Sequence, residues 1–297
     1  MTKITLNGHT HDIPARWSEM RDRGMFIAFA SALFDFEAGI SSFDELRVNL
    51  AVAALGIDLR KVSPGLMLFE NIYRVAELTT FPYVVEEQGD GSRKVSVKIR
   101  LEDNIVGAVC GVTGYRYHTD AAGIVDTDMT AGQYIEGLQL LRHYSAVTAG
   151  SGNADAAVEV LSSLALTLYP LPKPQYSRNL ARFSREEKLG ILYNFRGITE
   201  SIAADPDYDL IFRRAGRHSY SSPVGLQSSI FSLSKSGLGD VEKIRSLDVH
   251  TYLAALVQQT VDSIHTLAGS GMKPGAIAKT LDLYPEQVAP FISNIDA

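Results

Sequence analysis

Met129-Thr130-Ala131-Gly132-Gln133-Tyr134-Ile135 reads as the start of a helix. Thr130 followed three residues later by Gln133 makes a capping box. The threonine hydroxyl accepts from the Gln133 amide, and the glutamine side chain reaches back to the Thr130 amide. Met129 just before the cap and Tyr134 four residues after it close a hydrophobic staple over the same turn. The device recurs on either side. Ser42 with Glu45 opens an earlier helix, and Ser184 with Glu187 heads a long later one. Three helix starts fixed by local chemistry, with apolar stripes running from them, predict a mostly α (α+β) fold. The body is helical and bundle-like, with an N-terminal β-hairpin and a second β-hairpin as an insertion.

Outward from the first box, Tyr134, Leu138 and Leu141 line one helix face, and Ala157, Leu161, Leu164 and Leu168 continue the stripe to Tyr169. The residues 150–153, Gly-Ser-Gly-Asn, read as a plain connector. Pro170, Pro172 and Pro174 forbid further helix and predict an extended segment. Leu189, Leu192, Tyr193 and Ile198 mark the helix after Ser184. Ser222-Pro223 starts another with Leu226, Ile230 and Leu233. Leu253, Leu256, Val257, Ile264 and Leu267 give a strong amphipathic helix to Gly269, and two short helical pieces follow between residues 274 and 292.

On the N-terminal side, Asn7-Gly8 between residues 4–6 and 9–13 predicts a tight hairpin, because both residues tolerate positive φ. Trp17, the single tryptophan, anchors it to a helix bearing Phe26, Phe29, Leu33 and Phe36 that stops before Gly39. Leu46, Leu50, Ala53 and Ala54 follow the Ser42 cap, with Gly56 as the stop. Ser63-Pro64 leads into a helix whose stripe is Leu66, Phe69, Ile72 and Ala76. Period two then appears in Tyr83-Val84-Val85 and in Val95, Val97, Ile99 and Leu101, about the turn Gly89-Asp90-Gly91. Residues 103–128 read as irregular loop with one short strand or helix. The predicted divisions are 1–80 (hairpin plus helices), 81–128 (hairpin and irregular insertion), 129–205 (central capped helices) and 206–297 (C-terminal helical region). Hairpin-then-helix-pair occurs twice, with Met20 placed like Met129, an echo in layout more than in letters.

The 297 residues are 45% apolar, enough for a sizeable core, and the net charge is -6. That balance argues against a protein that coats nucleic acid. A single cysteine, Cys110, excludes an intrachain disulfide and fits a reducing compartment. The first residues show no apolar signal region, and the longest apolar run, 105–112, is far short of a membrane span. The expectation is cytoplasmic, whether in a host cell or carried into a particle assembled there, with no membrane partner.

No catalytic constellation emerges. His9 and His11 share a strand face, and His118-Thr119-Asp120 or Asp126-Thr127-Asp128 could add ligands, giving a metal-dependent enzyme as one alternative. None of these spacings matches a ligand signature, and turn chemistry accounts for them. Cys110 has no base nearby and reads as a buried structural thiol. The glycine-rich 107–114 stretch lacks the residues of a phosphate loop or dinucleotide fingerprint. Glu86-Glu87 point to opposite strand faces, and Glu187 is committed to its cap. Arg178, Arg182, Arg185 and Arg196, then Arg213, Arg214 and Arg217, read as solvated faces. Residues 271–288 resemble a helix-turn-helix, which makes a DNA-binding regulator the other alternative. The second helix of that motif offers Glu286, Gln287, Ala289 and Pro290, however, where a DNA reader needs basic and polar side chains.

Leu6-Asn7-Gly8 with Ile13-Pro14 and Trp17, the Thr130 to Tyr134 helix start, Leu166-Thr167-Leu168-Tyr169-Pro170, and residues 189–195 occur in an order that resembles bacteriophage and prophage tail-module proteins of the tail-assembly-chaperone type. The resemblance covers residues 4–199. It departs from the pattern around Arg21 to Met25 and in the long insertion 84–123. It implies a non-enzymatic protein with no cofactor, acting through contacts with other tail or particle proteins, a second copy of the chain being another candidate partner.

Overall fold

The computed structural model describes residues 1–6, 9–59, 61, 66–150, 154–170, 183–215 and 223–292. The Asn7-Gly8 turn, the Ser63-Pro64 cap, the 151–153 connector, Pro172, Pro174, Arg178, Arg182, Arg217 and Ser222 lie outside the described residues. About 60% of the described residues are helical, and they hold twelve α-helices with small antiparallel two-stranded hairpins, the mostly α architecture expected. No helix among them is long and apolar enough to cross a membrane. The chain divides into two compact units, each assembled from separated segments: residues 1–114 with 144–200, and residues 115–143 with 201–297.

In the first unit, β1 (Thr2–Leu6) pairs antiparallel with β2 (His9–Ile13). A 3₁₀ turn, Trp17–Glu19, follows. Trp17 packs edge-on against Phe26, Phe29 and Phe81, and its indole N–H donates to the Lys98 carbonyl at 2.9 Å, so it anchors as expected. Helix α1 (Arg23–Glu37) buries Phe26, Phe29, Ala30 and Leu33 against α2 (Phe43–Leu55), which buries Leu46, Leu50, Ala51 and Ala54. Gly56, at φ 65°, ends α2 in the left-handed conformation that glycine adopts without a Cβ penalty. Helix α1 is capped by Asp22, whose carboxylate accepts from the Met25 amide at 2.6 Å. Helix α3 (Leu66–Ala76) packs on α2. Ile72, Val75 and Ala76 form its buried face, whereas Phe69 is 48% exposed and so is not in the stripe where spacing put it.

Strands β3 (Tyr83–Glu87) and β4 (Arg93–Val97) form the second hairpin. Ile99 and Leu101 lie beyond its end yet are buried, since the chain there runs along a later helix. Residues 103–128 are more ordered than their sequence suggests. They form two further hairpins, β5 (Ala108–Val109) with β6 (Val112–Thr113) and β7 (Tyr117–Thr119) with β8 (Val125–Thr127). Two- and three-residue strands cannot display a period, and turn chemistry specifies them instead. Cys110 and Gly111 both take positive φ, and the Asp120 carboxylate accepts from the Ala122 and Ile124 amides. Cys110 is therefore exposed at a turn, which corrects its reading as a buried thiol.

Helix α4 (Ala131–Gly150) starts at the Thr130 cap, and α5 (Ala154–Leu168) buries Leu161, Leu164 and Leu168. Helix α6 (Arg185–Ala203) buries Leu189, Leu192, Tyr193, Phe195 and Ile198. It lies so close to α1 that a Cβ on Gly190 would fall 2.8 Å from Ile27.

The second unit continues with a 3₁₀ turn (Pro206–Tyr208), α7 (Asp209–Phe212), α8 (Pro223–Lys235), α9 (Val241–Ser246) and α10 (Val249–Gly269). Helices α11 (Pro274–Leu281) and α12 (Pro285–Ile292) end it. Leu210, Ile264, Ile277, Ala278, Leu283 and Val288 share one core there.

Candidate functional site

The Thr130 stretch is the hub of the second unit. Both capping-box bonds are present: the Gln133 amide donates to the Thr130 hydroxyl at 3.1 Å, and the Thr130 amide donates to Gln133 Oε1 at 3.0 Å. The staple residues Met129 and Tyr134 are both buried. A feature absent from the sequence pattern completes the hub. Thr130 forms an antiparallel bridge with Asp248, in which the Ala131 amide donates to the Leu247 carbonyl and the Val249 amide to the Met129 carbonyl. Asp248 is itself the cap of α10, accepting from the Thr251 amide at 2.9 Å. Two helix starts are thus tied backbone to backbone. A Cβ on Gly132 would sit 3.3 Å from the Arg245 carbonyl oxygen, so the backbones pass closely at this junction.

His250 is the second residue of α10, two positions after the Asp248 cap. Its Nδ1 is 2.7 Å from the Tyr208 hydroxyl, and the Tyr117 ring is tilted against it at 5.8 Å. Its Nε2 is buried with no hydrogen-bond partner among the described residues. Burial pushes the imidazole pKa down, opposed by the carboxylates of Asp248 and Asp205. Burial also pushes the Tyr208 hydroxyl up to about 12, with Asp205 and Asp207 adding to it, and raises Tyr117. Burial works against the Asp248 carboxylate, but the Thr251 hydroxyl and amide hold it below the usual carboxylate range. The cluster pairs a neutral imidazole with protonated phenols. It offers neither a nucleophile activated by a base nor a set of ionised ligands. Asp248 was recoverable from sequence, as an acidic cap before an apolar stripe. The His250–Tyr208 pair was not, since it joins residues 42 apart.

The other two boxes also form, both in the first unit. Ser42 and Glu45 exchange bonds, with the Ser42 amide donating to Glu45 at 2.7 Å and the Glu45 amide to the serine hydroxyl at 3.3 Å. Those bonds from Ser42 hold the Glu45 carboxyl below its ordinary range. Ser184 and Glu187 do the same at 3.0 and 3.1 Å. Glu187 further accepts from Arg23 at 2.9 Å and lies 3.7 Å from the Cys110 sulfur. Deeper in this unit the Tyr193 hydroxyl donates to Glu37, which also receives Arg196 at 2.8 Å.

His11 faces Ile4 in the β1–β2 ladder, whereas His118 is exposed on β7 opposite Asp126, in the other unit. Among the described residues no three His, Cys, Asp or Glu side chains come together as a metal group. The arginines largely turn to partners in their own unit. Arg185 lies over Phe34, Arg213 pairs with Glu286, and Arg214 donates to the Leu281 carbonyl.

In the C-terminal helix pair, Gln287 is buried. Its amide donates to the Asp209 and Arg213 carbonyls and to the Asp209 carboxylate, and its oxygen accepts from the Tyr284 amide. The residue best suited to read a base edge is turned into the protein. Glu286, Ala289 and Pro290 are what α12 exposes.

Comparison with family models, with characterised proteins and with solved structures returns no match.

Proposed function

We propose that this protein acts without catalysis in the assembly or structure of a phage-like tail, through contacts with other particle proteins. The order of short motifs from Leu6 to Phe195 suggested it, and the surface supplies what such a role needs. The observation that carries the reading is the sheet arrangement. Among the described residues each strand pairs with a single other strand, leaving backbone donors and acceptors along open edges. Edges of this kind accept an added strand from another chain. The β3 edge also exposes Val84 and Val85, which suits an apolar partner strand.

The test is co-expression with tail-tube and tape-measure proteins of a phage tail module, followed by gel filtration and mass spectrometry of the peak. Co-elution with either, at a defined ratio, supports the proposal. Elution unchanged from that of the isolated protein, with every such protein tested, refutes it.

A further inference from the structure

His250 is held between two tyrosines from different parts of the second unit. Tyr117 stands on β7 and Tyr208 closes the 3₁₀ turn; both are buried. Their ring centroids lie 5.8 and 5.6 Å from that of the imidazole. The ring is thereby wedged where the β7–β8 hairpin, the 3₁₀ turn and the start of α10 meet. The backbone beside this wedge is the bridge itself. The amide of Val249, next to His250, donates to the Met129 carbonyl, and β8 ends two residues before Met129.

The neutral ring suits this place and the charged ring does not. In an imidazolium both nitrogens donate. Nδ1 can donate to the Tyr208 oxygen at 2.7 Å, but Nε2 is buried and meets no acceptor among the described residues. The first turn of a helix also disfavours a cation, because the helix dipole is positive there. The carboxylates of Asp248 and Asp205 act the other way. Both already accept from backbone amides, of Thr251 and Asp207 respectively. Asp207 bears on the Tyr208 hydroxyl, and His118 is exposed on the opposite strand face from Tyr117. We infer that His250 is an acid-operated latch. On taking a proton it leaves the space between Tyr117 and Tyr208, and the junction of the hairpin, the 3₁₀ turn and α10 opens. The core around Ile264, Ile277 and Leu283 is apolar and lies about 21 Å further along α10, so it stays closed. An exposed imidazole has a pKa of 6.5, and burial lowers that of the closed form. One proton is taken up on opening, so between those two values the opening constant rises by up to about tenfold per pH unit. The latch does not rest on the tail proposal, and each stands if the other fails.

Native-state hydrogen exchange from about pH 7.5 to about pH 5, corrected for the intrinsic pH dependence of amide exchange, reads the opening at single amides. Protection of Ala131 and Val249, the two bridge donors, should fall by up to about tenfold per pH unit below 6.5. Protection of Leu283, whose amide donates to the Ala278 carbonyl in the apolar core, should hold. The ring protons of His250, followed by NMR in the wild-type chain, should titrate below 6.5, and the fall in protection should end near that midpoint. His250→Gln and His250→Phe take up no proton in this range and should flatten the profile at Ala131 and Val249. Bridge protection that ignores pH would overturn the inference. So would an equal fall at Leu283, which marks global unfolding, or the same fall in either variant. Should neither variant fold, the wild-type titration decides: a His250 ring that titrates at or above 6.5 overturns it.

Discussion

Replacing Gly197 by alanine sets two effects of opposite sign against each other. Inside a helix the change from glycine to alanine is worth about 1 kcal/mol in favour of folding. Gly197 lies well within α6, so propensity alone predicts stabilisation. The packing predicts otherwise. A Cβ at this position would sit 2.6 Å from Leu101 Cγ and 2.9 Å from Ile99 Cγ1, and both residues are almost completely buried. The strand-like segment cannot simply back away, because the Leu101 amide donates to the Gly197 carbonyl at 3.0 Å. Overpacking of a core site costs about 1–3 kcal/mol, and loosening that hydrogen bond about 0.5–1.5 kcal/mol more. The net expectation is a loss of about 0.5–3.5 kcal/mol, which in a unit of this size lowers Tm by about 1–14 °C. Calorimetry on Gly197→Ala measures it. Gly269→Ala is the matched control: it ends α10 with no atom within 4 Å of the added Cβ, so it should hold or raise the melting temperature of its own transition. Gly197→Ala melting at or above the wild type would refute the close approach of residues 99–101 to α6.

Thr130→Ala should cost about 1 kcal/mol in thermal or urea unfolding, with Thr130→Ser retaining most of it. Its effect should be non-additive with Asp248→Ala by roughly 0.5 kcal/mol or more, because the two caps share a backbone bridge; strict additivity would argue against a joint hub. His250 has a folded pKa below its unfolded value of 6.5. Above that pH both states are neutral. As pH falls below it the unfolded chain takes up a proton that the folded one resists, so stability declines until the lowered folded pKa is passed. Melting curves between pH 7.5 and 5 should therefore fall less steeply for His250→Gln than for the wild type, and equal slopes would exclude His250 as a contributor. In a gel-shift assay at about 50 mM salt, where weak phosphate contacts are strengthened, duplex DNA should run unshifted; retardation abolished by substitutions in α12 would favour the regulator alternative.

What was legible in the sequence was what closes on itself within a few residues. Each of the three capping boxes depends on a serine or threonine and an acid or amide three positions on, and each is formed. Asp22 and Asp248 follow the same local rule, with one partner instead of two. The misreadings share a different cause. Two-residue strands at 108–113 are too short for alternation, so composition stood in for pattern and buried a cysteine that in fact tops a turn. His250 meets Tyr208 across 42 residues of chain, and α10 is tied to the start of α4 by a bridge; no local spacing encodes either contact. Phe69 is the instructive case. Periodicity finds an apolar stripe but assigns no element to cover it. On α3, Ile72, Val75 and Ala76 are buried, and α2 packs against this helix. Phe69 has the spacing of a core residue and yet is 48% exposed, because spacing records which face of a helix is apolar and not whether an element of the fold covers it.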